Sequence, residues 1–353
     1  MARVAVIGGD GIGPEVITEG LRLLRAAADH EGFDVEIEEL DLGAERYLRD
    51  GTTMPPETMQ HFRDDVDAIL LGALGDRRVP SNVHAKDILL GCRFELDLYV
   101  NHRPIRLLDE RRSPLVGKGM ADIDFVVFRE NTEGLYTGIG GQFKRDTPDE
   151  VAIEAELNTR KGVERIIRAA FEHADRTGAK SVCMSDKSNA MRHGHDLWQR
   201  TFRAVAEEYP AIATSHLYVD VLVMEMVRAP EQFDVIVTNN LFGDIVTDLG
   251  AQLQGGIGLA ASGNLHPGRV SLFEPVHGSA PDIAGQGIAN PIATFLSVGM
   301  LLTHLGHPAL EHAIVEAVQA CLHHDEVTRE IGGTLSTNAV TEALLGRLGW
   351  SSA

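Results

Sequence analysis

FDVIVTNNLFGDIVTD, residues 233–248, holds a strand, a turn and two carboxylates in one short stretch, and its reading decides the fold. Asp234 to Asn239 reads as a buried strand, because Val235, Ile236 and Val237 form a short apolar run. Gly243 breaks that run, and the residues after it read as the first turns of a helix. Asp244 and Asp248 then stand at i and i+4, so their side chains leave one helix face a turn apart. Two like charges so placed repel unless a cation lies between them, and carboxylate oxygens suit a hard divalent ion. Asp220, in the preceding YVD, is a candidate third carboxylate. Taken alone, the pair reads more simply as an acid near a helix N-terminus followed by a solvated one.

Outward from this stretch, strands and helices alternate. Residues 3 to 8, RVAVIG, form an apolar strand followed by a glycine loop, and Pro14 suits the first turn of a helix carrying Ile17, Leu21, Leu24 and Ala28. Asp67 to Leu71 is another buried strand, ending in Gly72, Ala73, Leu74 and Gly75. Lys180 to Met184 is a further strand, followed by Ser185, Asp186 and Lys187. Such alternation predicts an α/β protein with a mostly parallel sheet. GGDGIGP invites comparison with a dinucleotide-binding loop, but the third glycine is misplaced and no ribose-binding acid stands out downstream.

A chain of 353 residues is long for one average domain, and 44% hydrophobic content with mean hydropathy near zero belongs to a soluble globular protein. The formal charge of −20 argues against nucleic acid or an anionic membrane as partner. Cys92, Cys183 and Cys321 are odd in number and widely spaced, which fits buried thiols in a reducing compartment. With no secretory or spanning segment evident, a cytoplasmic location is expected. Within this acidic chain Arg93, Arg103 and Arg129 fall near strand or helix ends. They could form a forked anion site, or remain three surface ion pairs.

Residues 137–157 are glycine-rich and then polar, as in a protruding arm that a partner covers. The loop FEPVHGSAPDIAGQGIANP, from Phe273 onward, is too rich in turn residues to be an element, and irregular loops of this length usually carry function.

Taken in order, GDGIGPEV, RENTEGLYTG, DKSN, YVD, NLFGDIVTD and EPVHGSAPDIAGQGIANP resemble the β-decarboxylating dehydrogenases, which act on isocitrate, 3-isopropylmalate, homoisocitrate and tartrate or D-malate. The resemblance is strongest to the isopropylmalate branch, through LLGCRFELDLYVNHRP and VTNNLFGDIVTDL. It implies a two-domain, non-Rossmann α/β fold. One domain would combine residues 1–100 with 254–353, and the other would hold 101–253 with the arm at about 137–157. It implies a homodimer whose active sites draw residues from both copies.

By motif, Arg93, Arg103 and Arg129 would bind substrate carboxylates, with Leu89 and Leu90 facing the C3 substituent. Tyr136 would be a proton donor and Lys187 the base, arriving with Asp220 from the partner copy. Asp220, Asp244 and Asp248 would hold Mg²⁺ or Mn²⁺. The nucleotide would lie along Gly72, Ala73, Leu74, Asn189, Glu274, His277, Gly278, Ser279, Ala280, Asp282 and Asn290. A carboxylate at Asp282 accepts from both ribose hydroxyls and repels a 2′-phosphate, which predicts NAD over NADP.

The expected reaction is the oxidative decarboxylation of a 3-substituted malate. Isopropylmalate comes first, since Leu89 and Leu90 suit an apolar group. Lys86 could instead meet an acidic tail, and Ala190 leaves extra room, so tartrate, D-malate, homoisocitrate and isocitrate stand as alternatives. A non-catalytic regulatory paralogue would have lost the lysine, the tyrosine or a carboxylate, and all are present.

Overall fold

The apolar N-terminal run forms a strand over Ala2–Ile7, fully buried from Val4 onward, as suits a strand covered on both faces. The computed structural model describes residues 1–351. Its strands are β1 (Ala2–Ile7), β2 (Val35–Leu40), β3 (Ala68–Leu71), β4 (Val100–Arg106), β5 (Asp124–Glu130), β6 (Gly140–Phe143), β7 (Val151–Glu154), β8 (Ser181–Asp186), β9 (Ala213–Tyr218), β10 (Val235–Thr238), β11 (Ala261–Leu265) and β12 (Ser271–Pro275). The chain divides into two compact units.

The first unit comprises Met1–Leu98, Leu107–Met120 and the chain from Gln254 onward. Its strands run in the order β2, β1, β3, β12, β11, parallel except for β11 against β12. The helix Gly13–Glu31 follows β1, with Pro14 in its first turn and Gly32 closing it at φ 75°. Its face of Ile17, Leu21 and Leu24 packs with Phe295, Val298 and Leu301 of the nearly all-apolar helix Ile292–His304. Residues 107–120 were expected in the second domain. They belong with this unit, where Arg111 pairs with Asp325 at 3.2 Å.

The glycine loop is consumed by its own fold. Asp10 N–H donates to the Ala73 carbonyl at 2.7 Å, and Ile12 N–H to that of Ser279 at 2.8 Å. A Cβ at Gly11, where φ is 58°, would sit 1.9 Å from the Ser279 oxygen. The glycines thus let three backbone segments meet, and two of the donors a phosphate would need are already bonded.

The second unit comprises Tyr99–Arg106 and Ala121–Leu253. Its strands run β4, β5, β10, β8, β9, parallel except for β4 against β5. The helix Arg160–Thr177 is capped by Thr159, whose hydroxyl accepts from Gly162 N–H at 2.9 Å. It buries Val163, Ile166, Ile167, Ala170 and Phe171 completely. Within residues 137–157, β6 and β7 form an antiparallel hairpin in which every residue is exposed.

A pair of histidines in this unit makes it sensitive to acid. His102 in β4 packs its ring against Phe128 and His173, with centroids 5.2 and 5.3 Å away. Burial, with help from His173 and Arg176, pushes His102 down to about 3, and burial beside Arg176 pushes His173 down to about 4. The folded chain therefore keeps both rings neutral where the unfolded chain protonates them. Their contribution to stability is complete above pH 6.5 and falls as pH drops toward 4, by at most about 1.4 kcal/mol per pH unit for each ring. Thermal unfolding of His102→Leu between pH 7 and 4.5 should show a shallower loss than wild type; an identical slope would remove His102 from this account.

Candidate active site

The opening stretch folds as strand and helix, but with different bounds. β10 stops at Thr238 and the helix starts at Asn240, so Gly243 lies inside it instead of ending the strand's run. The reason is tertiary: a Cβ at Gly243 would stand 2.4 Å from the Arg129 side chain, which passes across the helix there. Asn239 starts the helix, its side-chain oxygen accepting from Phe242 N–H at 2.8 Å.

Arg129 is the last residue but one of β5, and its side chain is 1% exposed. Its Nε and Nη2 donate to the side-chain oxygen of Asn240 at 3.0 and 2.8 Å, and its Nη1 pairs with Asp244. Tyr136 donates its hydroxyl to the other Asp244 oxygen at 2.8 Å, with the guanidinium 5.2 Å from its ring. Asp244 is thus partly buried yet ionised: burial raises its pKa, but the charge of Arg129 and the Tyr136 hydrogen bond outweigh that.

Asp248, one turn on, has its pKa raised by burial and then by the charge of Asp244. No described side chain hydrogen-bonds its carboxylate. Two carboxylates a turn apart on one helix face, the second of which ionises less readily through desolvation and the charge of the first, fit a divalent cation, which would relieve their repulsion.

Lys187 and Asp220 are brought together, Nζ to Oδ1 at 2.5 Å, just past the ends of β8 and β9. The hydrogen bond from Lys187 holds the exposed Asp220 carboxyl below its usual range. Asp220 does not join Asp244 and Asp248 within one chain, and no group of three metal-ligating side chains occurs among the described residues. Asn189 and Ala190 are exposed on the turn that follows Lys187.

Arg103 is 7% exposed and donates to the Thr247 hydroxyl at 2.8 Å, between the two helix carboxylates in sequence. Asn240 and Thr247 were not singled out from the sequence, although both lie in its most informative stretch. Surface ion pairing is excluded for all three arginines.

In the first unit, residues 83–95 wind through an α turn, a π turn over Lys86–Leu90 and a further α turn, and π turns often mark functional sites. Leu89 and Leu90 are half-buried, Lys86 is exposed, and Arg93 is 4% exposed. Arg93 is fixed by Asn264 at 3.0 Å and Glu274 at 3.4 Å. Glu274, expected beside the nucleotide, thus lies in β12 holding Arg93.

The remaining nucleotide candidates gather at one end of this unit. Gly72 and Ala73 are buried after β3, and a Cβ at Gly72 would meet the Gly8 oxygen at 2.0 Å. Leu74 follows, half-buried. Ser279 is joined to the glycine loop through Ile12, and Gly278 and Ala280 flank it, Ala280 at φ 37°. His277 and Asn290 are buried, and His277 Nε2 and Asn290 Nδ2 have no hydrogen-bond partner. Buried orphaned polar atoms of this kind fit a polar ligand that completes them. The Asp282 carboxylate is exposed, and only its backbone oxygen is engaged, by Gln286.

The family described as isocitrate/isopropylmalate dehydrogenase matches residues 3–344. The chain is 51% identical to a 3-isopropylmalate dehydrogenase of Frankia casuarinae, over 96% of this chain and 99% of that one. It is 46% identical to one of Thermobifida fusca, over 98% and 97%. Among solved structures, the isocitrate dehydrogenase of Methylococcus capsulatus superposes with a TM-score of 0.87 at 35% identity, covering 99% of each chain. Both units lie within these matches, and the chain belongs to the isocitrate/isopropylmalate dehydrogenase family.

Proposed function

We propose that this dehydrogenase converts 3-isopropylmalate to 4-methyl-2-oxopentanoate with NAD and Mg²⁺ or Mn²⁺, the oxidative decarboxylation step of leucine biosynthesis. The observation that carries the reading is the set of contacts around Asp244, with Arg129 and Tyr136 on its two oxygens and Asp248 one turn away. Relatives at about half identity that are named for 3-isopropylmalate support that substrate above isocitrate, which is the named substrate of a solved structure at 35% identity and shares the family's description.

Asp244 and Asp248, with Asp220 of a second copy, would hold the cation. When bound, the cation acidifies the substrate hydroxyl and stabilises negative charge left by loss of CO₂, and NAD accepts the hydride. Arg93, Arg103 and Arg129, already fixed by neighbouring oxygens, would meet the substrate carboxylates without reorganising. Lys187 would take the hydroxyl proton, and Tyr136, whose hydroxyl donates to Asp244, would deliver one to carbon. Leu89 and Leu90 would receive the isopropyl group. Asp282 would bind the ribose hydroxyls, with His277 and Asn290 facing the adenosine end.

A homodimer is part of the proposal, since Lys187 and Asp220 would serve the partner's site. Met224, Val227 and Ile245 on two neighbouring helices, and Phe143, Val151 and Ile153 on the hairpin, are exposed apolar side chains that a second copy would cover. Steady-state assays with Mn²⁺ should give NADH fastest from 3-isopropylmalate, at least about tenfold ahead of isocitrate, homoisocitrate, tartrate and malate in kcat/KM. A preference for NADP would refute the role of Asp282, and no turnover on any of these acids would favour a non-catalytic regulatory paralogue.

A further inference from the structure

Lys187 is the first residue beyond β8, on a turn that no regular element rigidifies. A general base must nevertheless be held to within a fraction of an ångström. In this chain the Lys187 N–H donates to Nδ1 of His195 at 2.7 Å. His195 is fully buried in the helix Arg192–Ala206, and its Nε2 lies 3.2 Å from Glu156, whose side chain is 9% exposed. Because Nδ1 accepts, the ring proton sits on Nε2 and points at the Glu156 carboxylate.

Asn239 Nδ2 also lies 3.4 Å from Nε2, but there donor faces donor, and Asn239 donates instead to Glu156 at 2.6 Å. On the other side of Lys187, the buried Asp186 accepts from His216 at 2.8 Å and Gln199 at 3.1 Å. The Lys187 backbone is therefore gripped at its N–H by a histidine whose tautomer a carboxylate sets. The same carboxylate holds Asn239, which starts the helix of Asp244 and Asp248.

We infer that Glu156 and His195 are positioning residues that fix the backbone of Lys187 for proton transfer. The kinetic part of this inference rests on the function proposed above; the structural part does not. A carboxylate–imidazole pair behind a functional group commonly governs activity by about 10- to 100-fold.

The test compares His195→Phe, Glu156→Ala and Glu156→Gln in the intact protein. Phenylalanine keeps the ring and its edge-on packing against Phe242 but accepts no hydrogen bond. Glutamine retains an oxygen for Nε2–H. For His195→Phe and Glu156→Ala, the peptide containing the Lys187 amide should exchange hydrogen at least about tenfold faster, and kcat should fall about 10- to 100-fold with KM nearly unchanged. The deuterium isotope effect on kcat with 3-isopropylmalate labelled at C2 should change, which loss of folded protein cannot cause. Glu156→Gln, which keeps one oxygen for Nε2–H and gives up the other to Asn239, should leave exchange at the Lys187 amide close to wild type and lower kcat far less than Glu156→Ala.

Unaltered exchange at Lys187 in His195→Phe, or faster exchange with kcat and the isotope effect unmoved, would overturn the inference. So would equal damage by Glu156→Gln and Glu156→Ala. If the wild type turns over none of the candidate acids, the proposed function fails, and the exchange comparison alone then decides whether the pair holds Lys187.

Discussion

Lys187→Met should lower kcat by about a thousandfold, within the range of general acid–base catalysis, while the protein stays folded and still binds its cofactor. The side chain is partly exposed and its partner Asp220 more so, which makes the lost ion pair a minor term in stability. Unfolding temperature should move by no more than about 2 °C. Lys187→Arg is the sharper control. It keeps a cation beside Asp220, but a guanidinium does not release its proton in this range and cannot serve as the base. If Lys187 only supplied charge, arginine would restore most of the activity; if it accepts the proton, arginine is nearly as inactive as methionine. Full activity in either variant would remove Lys187 from the mechanism.

The neighbourhood of Lys187 also shows how far the residues speak for themselves. The run after Lys180 placed a lysine past a strand, and β8 ends at Asp186, two residues later than its apolar run suggested. Asp186 can lie inside the sheet because His216 and Gln199 satisfy it, and those partners are 30 and 13 residues away. A periodicity argument sees the apolar run and stops there.

Gly243 is the same lesson in reverse. As a local signal it marks a break, yet it sits within the helix Asn240–Leu253 because Arg129, far away in sequence, needs the space of its missing Cβ. The candidate side chains were legible by type and order, since Asp244, Asp248, Tyr136 and the arginines all stand in motif-bearing stretches. What fixes them was not legible. Arg93 depends on Asn264, 171 residues on, and Arg103 on Thr247, 144 residues on. Such pairings are set by the sheet order and leave no periodic trace.

Asp244→Asn and Asp248→Asn should both abolish metal-dependent activity, yet they should differ in stability, and the difference tests how the two carboxylates divide their work. Asp244 neutralises a guanidinium that is almost wholly buried, so removing its charge leaves Arg129 with neutral amide oxygens alone, that of Asn240 and that of the new asparagine. Losing one partner of a fully buried pair costs about 3 to 5 kcal/mol, and the cost here falls to about 1 to 3 kcal/mol because the Asp244 side chain is 38% exposed and an asparagine oxygen can still accept a hydrogen bond. Asp248 has no such debt. Its side chain is exposed, and partial desolvation and the charge of Asp244 both disfavour its ionised form, so the neutral amide relieves a small, solvent-screened repulsion. In metal-free protein, Asp248→Asn should therefore melt at or above the wild-type temperature, and Asp244→Asn well below it. Adding Mn²⁺ at about a hundred times its dissociation constant should stabilise wild type by about 2.7 kcal/mol and leave both variants nearly unmoved. A wild-type-sized Mn²⁺ shift in Asp248→Asn would mean that the cation binds without this carboxylate. Equal metal-free melting of the two variants would mean that Asp244 does not stabilise Arg129.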